Sequence, residues 1–134
     1  MKAALAVLVA LALLPLVLAA GGAVACTLPP DAGSVLGEGT LRLAWRAAPP
    51  TLAVARPFAL HVSTCPGLRL VRVDATMPEH RHGMNYRPSL HADGDGRWRA
   101  EGLLWHMAGR WELRFDLVDA AGAQHVLRQT VELR

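Results

Sequence analysis

The sequence predicts an all-β fold, a sandwich of about seven short strands that follows an N-terminal export signal. Three observations predict it. In residues 40–134 large apolar side chains recur at every second position, as in a strand with one buried face. Turn-forming Gly, Pro and Asp residues interrupt this alternation at intervals of roughly 8 to 15 residues. After the export signal, no segment has the 3.6-residue apolar period of an amphipathic helix.

Residues 1–25 have the three parts of a secretory signal peptide. A short positive start precedes an apolar run over 3–20, and residues 21–25 are a small-residue stretch that ends in Ala-x-Ala. The run of about 18 residues is at the lower limit for a membrane anchor, but the Ala-x-Ala site directly before Cys26 favours cleavage. We therefore expect a periplasmic or secreted bacterial protein, with a signal-anchored form as the alternative.

The remaining sequence has the size and composition of one globular domain. Removing 25 of the 134 residues leaves 109, enough for a single core. Residues 26–39 contain three Gly, two Pro and few large apolar side chains, so we expect a loose N-terminal segment ahead of a domain at 40–134. Thirteen Arg and eleven acidic residues leave a charge of +2, and they alternate along the predicted strands. This pattern argues against a nucleic-acid surface.

Three segments predict the strands of the first half. The first strand covers 41–46 and ends before two prolines at 49–50. The second covers 58–64, where apolar residues alternate strictly. The third covers 68–77, and its apolar parity changes near Leu70, which predicts a β-bulge that moves the core-facing side.

Four segments predict the strands of the second half. Residues 88–92 suit a short edge strand because proline is tolerated there. The Asp-Gly-Asp-Gly run at 93–96 predicts a hairpin turn into a strand over 98–107. Residues 111–117 have the cleanest alternation, and 127–133 form the last strand. This spacing of strands and turns favours an Ig-like topology.

The two cysteines have two alternative roles. If both are exported, Cys26 and Cys65 can form a disulfide in an oxidising compartment. A loop of about 40 residues closed in this way is worth about 4 kcal/mol on the chain-entropy model. In the other alternative, Cys26 is a lipoprotein attachment site, which excludes the disulfide. Such signals usually carry a larger aliphatic residue where this chain has Ala23.

Metal-competent side chains cluster in the segment Met-Pro-Glu-His-Arg-His-Gly-Met at 77–84. In an extended chain, His80, His82 and Met84 would share one face because side chains alternate. Thioether sulfur favours Cu(I), and imidazole binds either oxidation state of copper. The segment therefore predicts a copper site, with Cu(I) favoured.

Two further methionines are candidate ligands. Met107, next to His106, ends the predicted strand over 98–107. We expect it at the open end, or mouth, of the sandwich that also carries the segment at 77–84. Met77 precedes the motif directly. For both methionines, packing in the core is the competing interpretation.

Other polar residues predict no catalytic or metal chemistry. His61, His91 and His125 have no suitably spaced partners, so we expect them to be structural or solvated. The run at 93–96 has too few oxygen ligands for a calcium loop. No Ser-His-Asp spacing or nucleotide loop is present, and neither cysteine has an activating neighbour in the sequence. We therefore do not expect an enzyme.

The motif and the sequence downstream of it resemble a known family. Residues 74–88, with 95–98, 101–107 and 109–113, are similar to the YtkA-like domain, a family of small exported or membrane-anchored bacterial domains related to FixH. The resemblance covers about residues 55 to 120. It implies an Ig-like β-sandwich outside the cytoplasm and a connection to copper delivery. The assignment of copper ligands rests mainly on the chemistry of the residues themselves, which are His80, His82, Met84 and Met107.

Two functions are compatible with these patterns. The first is a copper-binding protein of the cell envelope that handles copper or delivers it to an acceptor. The second is a metal-free, Ig-like interaction module whose loops contact an envelope protein partner. Association with the membrane would require lipidation of Cys26 or an uncleaved signal.

Overall fold

Two antiparallel β-sheets make up the described part of the protein, which confirms the predicted all-β sandwich. The computed structural model describes residues 25–134. The signal peptide predicted over 1–25 therefore lies outside the described residues, apart from Ala25. Within residues 25–134, no helix is long and apolar enough to cross a membrane.

The described residues form nine strands in two sheets. One sheet has five strands in the order β1-β2-β3-β7-β6, and the other has four in the order β5-β4-β8-β9. Seven of the nine strands correspond to the predicted ones, and β1 and β5 are additional. The bounds are β1 Ser34–Glu38, β2 Leu41–Ala48, β3 Pro57–Thr64, β4 Arg69–Met77, β5 His82–Gly83, β6 Ser89–Gly94, β7 Arg97–Leu104, β8 Gly109–Val118 and β9 Gln124–Leu133.

The expectation of a loose segment over 26–39 is wrong for its second half, because β1 pairs with β2 along its whole length. Glycines allow this pairing. A β-carbon added at Gly37 would lie 2.0 Å from the Leu41 carbonyl oxygen, and one at Gly33 would lie 2.2 Å from the Trp45 oxygen. The residues that indicated a loose chain therefore permit close backbone contact.

The core lies between the sheets and follows the predicted alternation. Apolar residues in β3 are buried at every second position, and the four large ones of β8 are fully buried. The β-bulge predicted near Leu70 is present, since the pairing of β4 with β8 shifts between Leu70 and Arg72. Val71 is consequently turned outward, while Leu70 and Val73 both stay in the core.

A disulfide joins Cys26 to Cys65, as one of the two alternatives predicted. Cys65 directly follows β3 and is buried, so the bond ties the N-terminal segment to the end of a core strand. The sulfur of Cys26 is used in this bond and is not available for a lipid thioether. Phe58, near the other end of β3, lies about 23 Å away at the strand rise of about 3.3 Å per residue.

We expect the disulfide to stabilise the fold by about 4 kcal/mol, because it closes a long loop in the unfolded chain. Guanidinium unfolding of the mature protein with and without a reductant would measure this difference. The Cys26→Ala/Cys65→Ala double variant should unfold at the midpoint of the reduced parent. Equal midpoints for the oxidised and reduced parent would contradict the expectation.

Asp119 organises the turn between β8 and β9. Its carboxylate lies 2.8 Å from His125 Nε2 and accepts 2.9 Å hydrogen bonds from the N–H groups of Ala121 and Ala123. The hydrogen bond with His125 and then the one from Ala123 lower the pKa of Asp119 below its ordinary value. The ionised carboxylate is therefore the form that holds this turn together.

We expect Asp119→Asn to lower the free energy of unfolding at neutral pH but to match the parent in acid. A lowered folded-state pKa contributes stability that is present above the unfolded value of about 3.9 and is lost as pH falls through the folded value. Urea unfolding of both proteins between pH 3 and pH 7 would test this. Asp95→Asn, in the exposed β6–β7 turn, is the control. A difference between Asp119→Asn and parent that stays constant with pH would contradict the expectation.

Candidate metal site

Strand β5 places His82 at one open end of the sandwich. It is the edge strand of the four-stranded sheet, and it pairs His82 directly with Met77 and Gly83 with Thr76. Directly opposed residues of an antiparallel pair point to the same face. Because Met77 is buried in the core, the His82 side chain is also directed to the inner face, where it is half-buried.

His80 lies in a turn, so the expectation that the segment from His80 to Met84 is extended is wrong for its first part. The N–H of His80 donates to the Met77 carbonyl oxygen at 3.1 Å, and Arg81 has a φ of 54°. This turn brings the chain back onto β4. The rings of His80 and His82 nevertheless lie together, with centroids 5.8 Å apart and planes at 27°.

Met84 continues along the edge of β4. Its N–H donates to the Ala75 carbonyl oxygen at 3.2 Å. Met84 is two residues beyond His82, so its side chain returns to the same, inner face, where it packs against the core. The shared face predicted for His82 and Met84 is therefore present.

His106 was expected only as a neighbour of Met107, yet it lies beside His82, so the rings of His80, His82 and His106 form one imidazole cluster. His106 follows β7, in the five-stranded sheet, and its ring centroid lies 5.1 Å from that of His82. Its Nδ1 is buried and has no hydrogen-bond partner in residues 25–134. The ends of β4 and β7 meet at this open end of the sandwich. The signal in the sequence that could have found His106 was its position near the end of the predicted strand over 98–107, which was expected to end there.

The two remaining candidate methionines lie at different depths. Met107 is partly buried against the core, and its carbonyl oxygen accepts a 3.0 Å hydrogen bond from Trp111 Nε1. Met77 is 1% exposed. A β-carbon added at Gly109 would lie 2.9 Å from the Met77 methyl carbon, so this methionine fills the space above a glycine. The structure thus places Met77 in the core below the cluster.

Aromatic side chains form the floor of the cluster. Trp105 and Trp111 are stacked with centroids 5.2 Å apart and planes at 3°, and Phe58 meets Trp105 edge-on at 5.1 Å. Trp111 also lies 5.6 Å from His106 and 6.2 Å from His82. The inner side of the imidazole cluster therefore faces apolar rings and not water, which strengthens electrostatic and ligand interactions there.

Polar contacts lie at the turn and at one ring nitrogen of His82. Glu79 forms a 3.1 Å ion pair with Arg110, which ties the turn to the start of β8. Nδ1 of His82 lies 3.4 Å from the Gly83 carbonyl oxygen. When Nδ1 carries the proton toward a carbonyl, Nε2 is the nitrogen that binds a metal.

The donor set of the cluster is imidazole and thioether. In the described part of the chain, no group of three or more His, Cys, Asp or Glu side chains is arranged to hold a metal ion. A metal at this mouth therefore depends on methionine sulfur as well as imidazole, or on movement of a ring. This is the donor chemistry that favours copper over zinc, magnesium or calcium.

The other histidines lie away from this mouth. His61 is on β3 and His91 on β6, both opposite Arg99 of β7 in the pairing of the five-stranded sheet. His91 lies 3.5 Å from Glu101, and His125 is bonded to Asp119. These three residues provide controls for the cluster.

Comparison with known proteins leaves the family unassigned. Neither protein-family models, nor curated proteins, nor solved structures give a significant match to the chain. The resemblance to the YtkA-like domain therefore stays a prediction that rests on the motif at 77–84 and the sequence downstream.

We expect Met77→Ala to lower the free energy of unfolding by about 2–5 kcal/mol, because it leaves a cavity in the core. Met77→Leu nearly conserves volume and should cost about 1.5 kcal/mol or less. Chemical unfolding of the metal-free proteins would measure both. If Met77→Ala unfolds like the parent, Met77 does not have the packing role that its burial indicates.

Proposed function

We propose that the protein is an exported, copper-binding protein of the cell envelope that handles Cu(I) or delivers it to an acceptor. Copper is its cargo, held by His80, His82 and Met84 with Met107 from across the mouth. Met77 supports this cluster from the core. The proposal includes membership of the YtkA-like family, from which the connection to copper delivery derives.

The observation that carries the proposal is the meeting of two imidazole rings at one open end, beside two thioether residues that pack against the adjoining core. His80 and His82 lie 5.8 Å apart. Met84 shares the inner face with His82, and Met107, which follows β7 in the facing sheet, accepts a hydrogen bond from Trp111 through its carbonyl. Packing alone does not require two imidazoles at the rim of an apolar core, and imidazole is a common ligand of copper.

The position of the cluster suits a cargo site. His80 is exposed and His82 is half-buried, so an ion held there is reachable by the ligands of an acceptor. The stacked rings of Trp105 and Trp111 close the inner side. An ion at this mouth would thus be shielded from below and open to ligand exchange from above.

The disulfide supports export. Disulfides persist in the periplasm and outside the cell and are rare in the cytosol. Cys26 is the first residue after the predicted cleavage site, and it is bonded to Cys65. A chain whose Cys26 sulfur is used in this bond carries no lipid thioether at that residue. We therefore propose a periplasmic or secreted location.

We expect the mature protein to bind one Cu(I) and the His80→Ala/His82→Ala/Met84→Ala variant to lose at least about tenfold in affinity, because a lost ligand costs no less than a lost supporting contact. The measurement is anaerobic competition with a chromophoric Cu(I) chelator. A reductant that leaves the disulfide intact should be used, and thiol counting should confirm this.

The His61→Ala/His91→Ala variant is the matched control, since it removes imidazoles from β3 and β6 and leaves the cluster unchanged. It should bind Cu(I) like the parent. Equal and weak binding by the parent and the triple variant would contradict the copper proposal. The interaction module with an envelope protein partner would then be the function to test.

A further inference from the structure

We infer that His82 and His106 are the resident imidazole ligands of this site, and that His80 is the exposed ligand through which copper enters and leaves. This inference rests on the proposed function and assigns different roles to the three rings. It adds a ligand from the five-stranded sheet to a motif that lies on the four-stranded sheet. The ion would then bridge the two sheets.

The spacing of the rings fits a shared ion. With metal–nitrogen distances of about 2.0–2.1 Å, two imidazoles on one ion have centroids roughly 4.5–6 Å apart. The His82 and His106 centroids are 5.1 Å apart, and those of His80 and His82 are 5.8 Å apart. His82 belongs to both pairs, so it is the common ligand, and it pairs with one of the other two rings at a time because the three rings do not form one metal-holding group within the described residues.

Burial separates His106 from His80. Nδ1 of His106 is buried and lacks a hydrogen-bond partner within the described residues. A buried polar nitrogen is normally paired, and an ion bound to it would supply the missing partner. His80 is exposed and its ring has ready access to water. The more buried ring suits a resident ligand, and the exposed ring suits exchange.

The surroundings of His106 also fix its position. Trp105, before it, is buried and stacked on Trp111. Met107, after it, is held by the hydrogen bond from Trp111 Nε1. Both neighbours of His106 are therefore tied to the same indole ring, whose centroid is 5.6 Å from the His106 ring. Such preorganisation lowers the cost of binding an ion.

His80 has weaker supports. It lies in the turn between β4 and β5. The ion pair of Glu79 with Arg110 connects this turn to β8, and both side chains are more than half exposed. Exposed ion pairs contribute little to stability. The contacts of this turn therefore restrain His80 less than the buried contacts of Trp105 and Met107 restrain His106, which suits a ring that exchanges its ligand.

The test compares His106→Ala with His80→Ala in the disulfide-bonded protein, using Cu(I) itself as the probe. Competition with a chromophoric chelator gives the affinity, and stopped-flow transfer to excess chelator gives the release rate. We expect His106→Ala to weaken binding by about tenfold or more. We expect His80→Ala to stay within about threefold of the parental affinity but to release and take up Cu(I) more slowly.

Several outcomes would overturn the inference. Parental affinity in His106→Ala would remove His106 from the site, and an equal loss of affinity in both variants would remove the difference in roles. Unchanged release from His80→Ala would remove its role in exchange. In each of these cases the copper proposal still holds. A parent that binds no Cu(I) would overturn the proposed function and this inference together.

A second measurement covers the case in which His106→Ala folds poorly. In the parent, Ag(I) is a diamagnetic probe for Cu(I), and histidine ring nitrogens are observed by NMR. Ag(I) should shift the ring nitrogens of His82 and His106 strongly, and those of His61 not at all. An unshifted His106 in a protein that binds Ag(I) would overturn the inference without any substitution.

Discussion

The stacking of Trp105 on Trp111 is the contact on which the open end of the sandwich depends. Trp105 follows β7 in one sheet, and Trp111 lies in β8 of the other. Their planes are within 3° of parallel, and Trp111 Nε1 also holds the Met107 carbonyl. This contact fixes the distance between the sheets at the mouth. The candidate ligands lie either within two residues of Trp105 or in and around the β4–β5 hairpin, and β4 is the neighbour of β8.

Much of the fold could be predicted because strands with one buried face have a two-residue period. Residues 58–64 and 111–117 follow that period without exception, and the parity change at Leu70 located a real bulge. The first strand could not be predicted, because Gly33 and Gly37 indicate a flexible chain when read alone. Only the partner strand shows that they are needed for close approach. Local composition does not reveal which backbone a glycine faces.

The site was predicted only in part, for a related reason. The His and Met residues at 80–84 are close in sequence, so their pattern is visible without a structure. His106 is 24 positions from His82, and its proximity depends on how β7 and β4 are placed in different sheets. The geometry of His80 also differs from the extended one predicted, since the proline after Met77 begins a turn. Sequence spacing finds ligands within a segment, but contacts between sheets require the fold.

The disulfide lies at the pole of the sandwich opposite the imidazole cluster, since Cys65 and Phe58 are at the two ends of β3. This separation sets how the protein would be oriented on any support attached at its N-terminus. A support joined through the chain on the N-terminal side of Cys26 holds the protein at one pole, and the imidazole cluster then faces away from that support. Such an orientation presents the cluster to diffusing molecules and not to the support itself. The disulfide thus fixes the end of the sandwich at which the chain would be attached, and it also stabilises the fold.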